Sequence, residues 1–130
     1  MSLRELRHRP PGQFSAIRFL LTDMDETLTH HGRLAAATYA ALEQLQQAGI
    51  KVIPVTAAPA GWCDQMARMW PVDGVIGENG GFFFRRDGAH GVHRHFWHGD
   101  YAAAVMQQLR DKGDLILRQL PGARLADDQP

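Results

Sequence analysis

The 130-residue chain has one cysteine, so no internal disulfide can staple it, and a reducing, cytoplasmic setting is expected. Neither sign of charge is in excess. Fourteen basic side chains balance fourteen acidic ones, which gives bulk electrostatics no hold on nucleic acid or an anionic membrane. No apolar run is long enough to span a bilayer. The N-terminus lacks the hydrophobic core of a signal peptide. Internal repeats and low-complexity tracts are missing too. What is present is a 45% share of hydrophobic residues, which suffices for a core and sets global disorder aside. The length suits one ordinary domain at most. Cys63 itself reads as a small, buried apolar side chain on a helix.

One stretch organises the rest. The apolar run Ala16 to Thr22 stops abruptly at Asp23-Met24-Asp25, with Thr27 close behind. In extended backbone, residues i and i+2 point to one side, so Asp23 and Asp25 would share a site while Met24 turns away. Two neighbouring acids repel unless a cation sits between them or one keeps a proton. Taken alone, the pair also suits a solvated strand-to-loop turn.

The organisation reads as a parallel α/β sheet with flanking helices. Residues 1–13 form a tail, with Arg4, Arg7, His8 and Arg9 ahead of the breaker Pro10-Pro11-Gly12. Residues 14–130 form the domain. Ala16 to Thr22 is a strand buried on both faces, and Thr29 to Gly32 is loop. Leu34 to Ala48 is a helix with an apolar stripe at Leu34, Ala37, Ala41, Leu45 and Ala48, stopped by Gly49. Ile50 to Val55 is a second strand, completing a βαβ unit. Pro59 opens a helix that runs to Trp70, where Pro71 ends it. Gly74 to Ile76 is a third strand and Gly77 to Gly81 a turn. Phe82 to Arg86 and Val92 to Phe96 pair as a hairpin through Asp87-Gly88. Asp100 to Leu120 is helical, with Gly113 its weak point.

In open parallel sheets, ligands bind beyond the carboxyl ends of the strands. Three distinctive loops lie there: Asp23 to Thr27, Thr56 to Ala60, and Gly77 to Gly81. Asp-x-Asp-x-Thr at a strand end resembles the first motif of the haloacid dehalogenase (HAD) superfamily of phosphohydrolases. Thr56 matches that family's second motif, and Gly77-Glu78-Asn79-Gly80-Gly81 resembles its Cof-like or IIB branch, relatives of the sucrose- and trehalose-phosphate phosphatases. The resemblance implies a Rossmann-like core, Mg²⁺ held at Asp23 and Asp25, and a small phosphorylated metabolite, a sugar phosphate, as substrate. It makes Asp23 the nucleophile that becomes an aspartyl-phosphate, and Asp25 the general acid and base. It sets Thr56, Ala57 and Asn79 against the phosphate. Thr56 equally suits a helix N-cap, and Asn79 suits a left-handed turn.

The chain also departs from the family pattern. Thr56-Ala57-Ala58-Pro59 stands where Cof-like proteins read Thr-Gly-Arg-Pro. The family's third-motif lysine and fourth-motif acidic cluster have no counterpart. Lys51 begins the second strand, at the far end of the sheet, and Lys112 lies in the last helix; Asp111, Asp114, Asp127 and Asp128 lack a strand-end setting. The resemblance covers residues 16 to 98. The expectation is an incomplete core, cut near the entrance to a cap. The alternative is a catalytically incomplete fragment, or a phosphate-binding or interaction module.

Four histidines, His90, His93, His95 and His98, crowd the second hairpin strand, and solvent-facing positions account for them better than a metal site. Trp62, Trp70 and Trp97 read as core or edge packing. Phe82-Phe83-Phe84 is unusual for a hairpin with one wet face and suits burial against a cap or partner. Exposed aromatics leave oligomerisation open.

Overall fold

In the computed structural model, residues 10, 12–88 and 91–125 are described. The chain opens with strand β1 (Phe19–Asp23), then a small antiparallel pair, β2 (Thr29–His30) and β3 (Arg33–Leu34). Helix α1 (Ala36–Gln47) follows, then β4 (Lys51–Val55), α2 (Ala60–Met69) and β5 (Val75–Gly77). The hairpin β6 (Phe82–Asp87) and β7 (Gly91–Phe96) leads into α3 (Ala102–Gln119). The main sheet has the order β1-β4-β5-β6-β7. Its first three strands are parallel, and the hairpin adds two antiparallel ones. The expected βαβ unit is present, as is the α/β class.

Local chemistry explains the boundaries. Gly49 adopts the left-handed backbone (φ 79°) that stops α1. Trp70 is extended, as the residue before Pro71 must be, and α2 ends there. α3 runs unbroken through Gly113. The loop expected at 29–32 is instead the turn of the β2–β3 hairpin, built on left-handed His31 and Gly32; two positive φ angles in succession are what a two-residue hairpin turn needs.

The core forms one cluster: Met24 after β1, Leu42 of α1, Val52 of β4, Cys63, Met66 and Ala67 of α2, Val72, Val75, Phe82 and Phe84. The Tyr39 hydroxyl donates to the Met69 carbonyl at 2.9 Å and ties α1 to α2. The buried side of α1 is Thr38, Leu42 and Leu45, not the alanine stripe expected from the sequence: Ala37, Ala41 and Ala48 are exposed. Leucines bury far more apolar area than alanines, so packing turns the helix toward them.

Burial corrects three further expectations. β1 is not covered on both faces. It is a sheet edge, with Phe19 and Leu21 on one face 62% and 58% exposed. Its apolar composition suits a covered strand, yet no described element packs on that face of it. The phenylalanine run needs no cap: Phe82 and Phe84 are buried, their rings stacked at 4.1 Å, with Phe96 edge-on to both. Alternation leaves Phe83 on the other face, half-buried over Gly74. Trp62 and Trp97 are exposed, while Trp70 packs against the core. Of the expected tail only residues 10, 12 and 13 are described; His90, Asp127 and Asp128 also lie outside the described residues. Among the described residues, no helix is long and apolar enough to cross a membrane.

Two substitutions test this packing by thermal and denaturant unfolding. Phe84→Ala is expected to cost about 3–5 kcal/mol, the range for emptying a buried aromatic site, and Phe83→Ala clearly less. Gly77→Ala would push a methyl into the Phe82 ring and to 2.7 Å from Cys63 Sγ. Overpacking of that kind costs about 1–3 kcal/mol, so a neutral Gly77→Ala would mean the β5–α2 contact is looser than described.

Candidate active site

The turn after β1 winds around one carbonyl. The backbone N–H groups of Thr27, Leu28 and Thr29 all point at the Met24 carbonyl, at 3.4, 3.0 and 3.0 Å, and the Thr29 hydroxyl donates to it at 3.2 Å. The Met24 side chain is buried, while Asp23 and Asp25 are both exposed. The apolar residue therefore turns inward and the two acids are exposed, Asp23 at the end of β1 and Asp25 in the turn that follows. Thr27 Oγ1 donates to Asp23 Oδ2 at 3.0 Å, which fixes that carboxylate from within its own turn.

Parallel register brings the second loop alongside. Asp23 sits opposite Val55, so Thr56 follows directly at the same sheet edge. Among the described residues, Thr56 is the one buried polar side chain, 3% exposed. Its hydroxyl stands 3.5 Å from Asp25 Oδ2 and accepts the Ala58 N–H at 3.0 Å. That second bond makes a local side-chain turn. It is not a helix N-cap, because α2 starts at Ala60 with Pro59 in the cap position. Ala57 lies exposed between them.

The third loop is stitched to the second through backbone. The Asn79 N–H donates to the Thr56 carbonyl at 3.2 Å, and the Glu78 N–H to the Ala58 carbonyl at 3.1 Å. Asn79 takes the left-handed conformation expected of a turn residue (φ 55°), and so does Glu78 (φ 47°). Thr56 thus touches both of its neighbouring loops: Asp25 through its hydroxyl and Asn79 through its carbonyl. The five site residues expected from the sequence, Asp23, Asp25, Thr56, Ala57 and Asn79, lie on the three loops of this edge.

The Asp23 and Asp25 carboxylates are exposed there, and carboxylate oxygens suit a hard divalent cation such as Mg²⁺. Asp23 and Asp25 fit that ion in type and in exposure. Neither lysine lies on the three loops: Lys51 pairs with Asp73 at 2.8 Å, at the opposite end of β4, and Lys112 belongs to α3. Cys63 is buried beneath the site, and burial, reinforced by the nearby Glu78 charge, pushes its thiol up to about 11. It is a packing residue and not a nucleophile.

Sequence reasoning missed one wall of the site. A cavity of about 400 Å³ opens beside Asp25, lined also by Thr29, Leu34, Pro59, Trp62 and Trp70. Trp62 lies in the first turn of α2, three residues after Pro59. That position was the available signal, because a first-turn residue of a helix starting at the strand ends reaches the same edge. A second cavity of about 500 Å³, between Glu78, Phe96 and α3, contains none of the acids of the pair.

Comparison with known proteins agrees with this geometry. The model of a haloacid dehalogenase-like hydrolase matches residues 20–117, which include all three loops. Among solved structures, the chain is similar to BT1666 from Bacteroides thetaiotaomicron, reported among phosphatases of the HAD enzyme superfamily. Identity is 27% and the TM-score 0.51, over 82% of this chain and 39% of that one. It is also similar to a hypothetical protein from Geobacillus kaustophilus HTA426, at 14% identity and a TM-score of 0.45, over 72% of this chain and 49% of the other. The chain spans less than half the length of either structure. No curated protein matches it. With three quarters of its residues inside the family match, the chain belongs to the haloacid dehalogenase-like hydrolases.

Proposed function

We propose that the chain carries the nucleophile and the acid/base of a Mg²⁺-dependent phosphatase acting on a small phosphate ester, a sugar phosphate. The observation that carries this reading is the position of the Thr56 hydroxyl, 3.5 Å from Asp25 on the loop that also holds Asn79 by backbone. Asp23 attacks phosphorus through a carboxylate oxygen. Asp25, protonated, gives its proton to the departing sugar oxygen, and the phosphoryl group is left on Asp23. Asp25, now a carboxylate, takes a proton from water as the water oxygen attacks phosphorus. Phosphate leaves and the Asp23 carboxylate is restored. The Thr56 hydroxyl donates to a phosphoryl oxygen, with the backbone around Ala57 and Asn79 beside it. Mg²⁺, held by the Asp23 carboxylate and the Asp25 backbone carbonyl, would offset the charge of the phosphoryl group.

The cavity beside Asp25 suits the leaving group. Asp25 must protonate the sugar oxygen, so the sugar belongs on its side of the site. Trp62 offers an aromatic face there, 58% exposed. Such a ring packs against the apolar face of a sugar while the hydroxyls stay wet.

A second reading is phosphate binding without turnover by these 130 residues alone. It is favoured by the lysines, neither of which lies on the three loops that carry Asp23, Thr56 and Asn79. Mg²⁺-dependent turnover by the 130-residue chain would eliminate it.

Phosphate release from a panel of sugar phosphates, with and without Mg²⁺, tests the leading reading in the protein that carries this chain. Asp25→Asn should lower kcat by about 10²–10⁴-fold, the range for losing a general acid/base. Asp23→Asn should cost at least as much and abolish any trapped phosphoryl-enzyme. Unchanged turnover in Asp23→Asn would overturn the mechanism. Trp62→Ala should raise KM roughly two- to tenfold and leave kcat nearly constant, since an aromatic contact is worth about 0.5–1.5 kcal/mol. A fall in kcat alone would place the sugar elsewhere.

A further inference from the structure

The geometry points to a second metal site, separate from the acid pair, formed by Glu26, His30 and His31 and suited to Zn²⁺. One ligand atom from each lies within 4.8 Å of the others. Glu26 belongs to the turn after β1, and the two histidines to the tip of the β2–β3 hairpin. In regular extended backbone, consecutive side chains diverge. His31 is left-handed (φ 50°), and its ring lies 4.0 Å from that of His30, centroid to centroid. Glu26 is left-handed too (φ 53°). Of the four left-handed non-glycine residues among those described, two, Glu26 and His31, belong to this donor group.

The carboxylate is already oriented. Glu26 Oε1 accepts the His31 backbone N–H at 2.8 Å, and Oε2 stands 3.5 Å from His30 Nδ1. The Glu26 N–H in turn donates to Thr29 Oγ1 at 3.3 Å, whose own hydroxyl is bound to the Met24 carbonyl. Support of this kind behind a ligand holds it in place. Tetrahedral zinc with bonds of about 2.0–2.1 Å needs its ligand atoms about 3.4 Å apart. The Glu26 and His30 side chains are 60% and 81% exposed, free to close the remaining distance. Two imidazoles and one carboxylate are a donor set for a borderline ion such as zinc and a poor one for Mg²⁺, which prefers oxygen alone. A bound ion would crosslink the β1 turn to the hairpin tip, at the rim of the cavity that Thr29 and Gly32 line.

Isothermal titration of the 130-residue chain with Zn²⁺ in excess Mg²⁺ tests the site, together with histidine ring signals in NMR spectra. The expected result is one-to-one binding that shifts His30 and His31 and spares His93 and His95. His30→Ala and His31→Ala should each weaken it by about tenfold or more, and Glu26→Gln should weaken it as well. His93→Ala/His95→Ala and Asp23→Asn should leave it intact, which separates this site from the proposed phosphatase centre. Absence of saturable binding, undiminished binding in His30→Ala and His31→Ala, or its loss in Asp23→Asn would each overturn the assignment.

Discussion

The site depends on the burial of Met24. A single apolar side chain stands between two acids, and the core cluster takes it in. With Met24 committed inward, Asp23 at the end of β1 and Asp25 in the turn after it are left exposed. The same residue's carbonyl gathers the N–H groups of Thr27, Leu28 and Thr29. Side chain and carbonyl together therefore fix where the acids point and how tightly the chain turns after them. Hydrophobic burial here has a directional consequence, though the force itself has no direction. A polar residue in place of Met24 would lose that anchor.

The sheet then assembles the remainder by register. Parallel pairing from Phe19 opposite Lys51 to Asp23 opposite Val55 puts the candidate site at one end and an ion-paired anchor at the other. At the structural end, Asp73 holds Lys51 by its side chain and accepts the Val52 N–H at 3.0 Å. At the other end, Asp23, Asp25 and Thr27 face solvent, with the Thr27 hydroxyl bonded to Asp23. Thr56 is the exception, buried and bonded on two sides. A buried hydroxyl must keep its partners, so Thr56 holds the spacing of the three loops as well as presenting an O–H. Asp64 plays a comparable linking role away from the site. Its carboxylate meets Arg68 on α2 and Arg94 on β7. The hydrogen bond from Arg68, with a further contribution from Arg94, holds its carboxyl below the usual carboxylate range against the opposing effect of burial. The stability it contributes is present above the ordinary carboxylate pKa and fades as pH falls through the lowered one.

Much of this was legible in the sequence, because it rests on local rules. The expected burial of Met24 between two exposed acids is present, although Asp25 stands in the turn beyond β1 and not in extended strand. Pro71 and Gly49 marked helix ends, and Asp87-Gly88 marked the hairpin. The failures share a cause, which is that burial is decided by what packs opposite. β1 has the composition of a covered strand but stands at an edge. The Phe82-Phe83-Phe84 run looked excessive for one wet face, yet two of its members fill the core beneath α2 and the third covers Gly74. The α1 stripe was read from alanines that carry too little apolar area to set the helix's rotation. Trp62 could be placed on a helix from sequence, but its exposure beside Asp25 follows only from the docking of α2 on the sheet.

The histidines show the same limit in sharper form. His93 and His95 lie two apart on a strand and so share a face, the pattern that period-two reasoning looks for. His30 and His31 are consecutive, which the same rule sends to opposite sides. What brings their rings together is the hairpin turn, where His31 leaves extended backbone. The turn also returns the chain to Glu26, whose carboxylate caps the His31 N–H. Asp25 and Glu26 are thus adjacent acids with different surroundings. Asp25 faces a hydroxyl at the strand ends, and Glu26 faces imidazole at the hairpin tip. Oxygen donors beside one and nitrogen donors beside the other would sort hard from borderline cations without any difference between the carboxylates themselves. Selectivity of that kind lies in the backbone path between Met24 and Gly32, because that path decides which neighbours each acid meets.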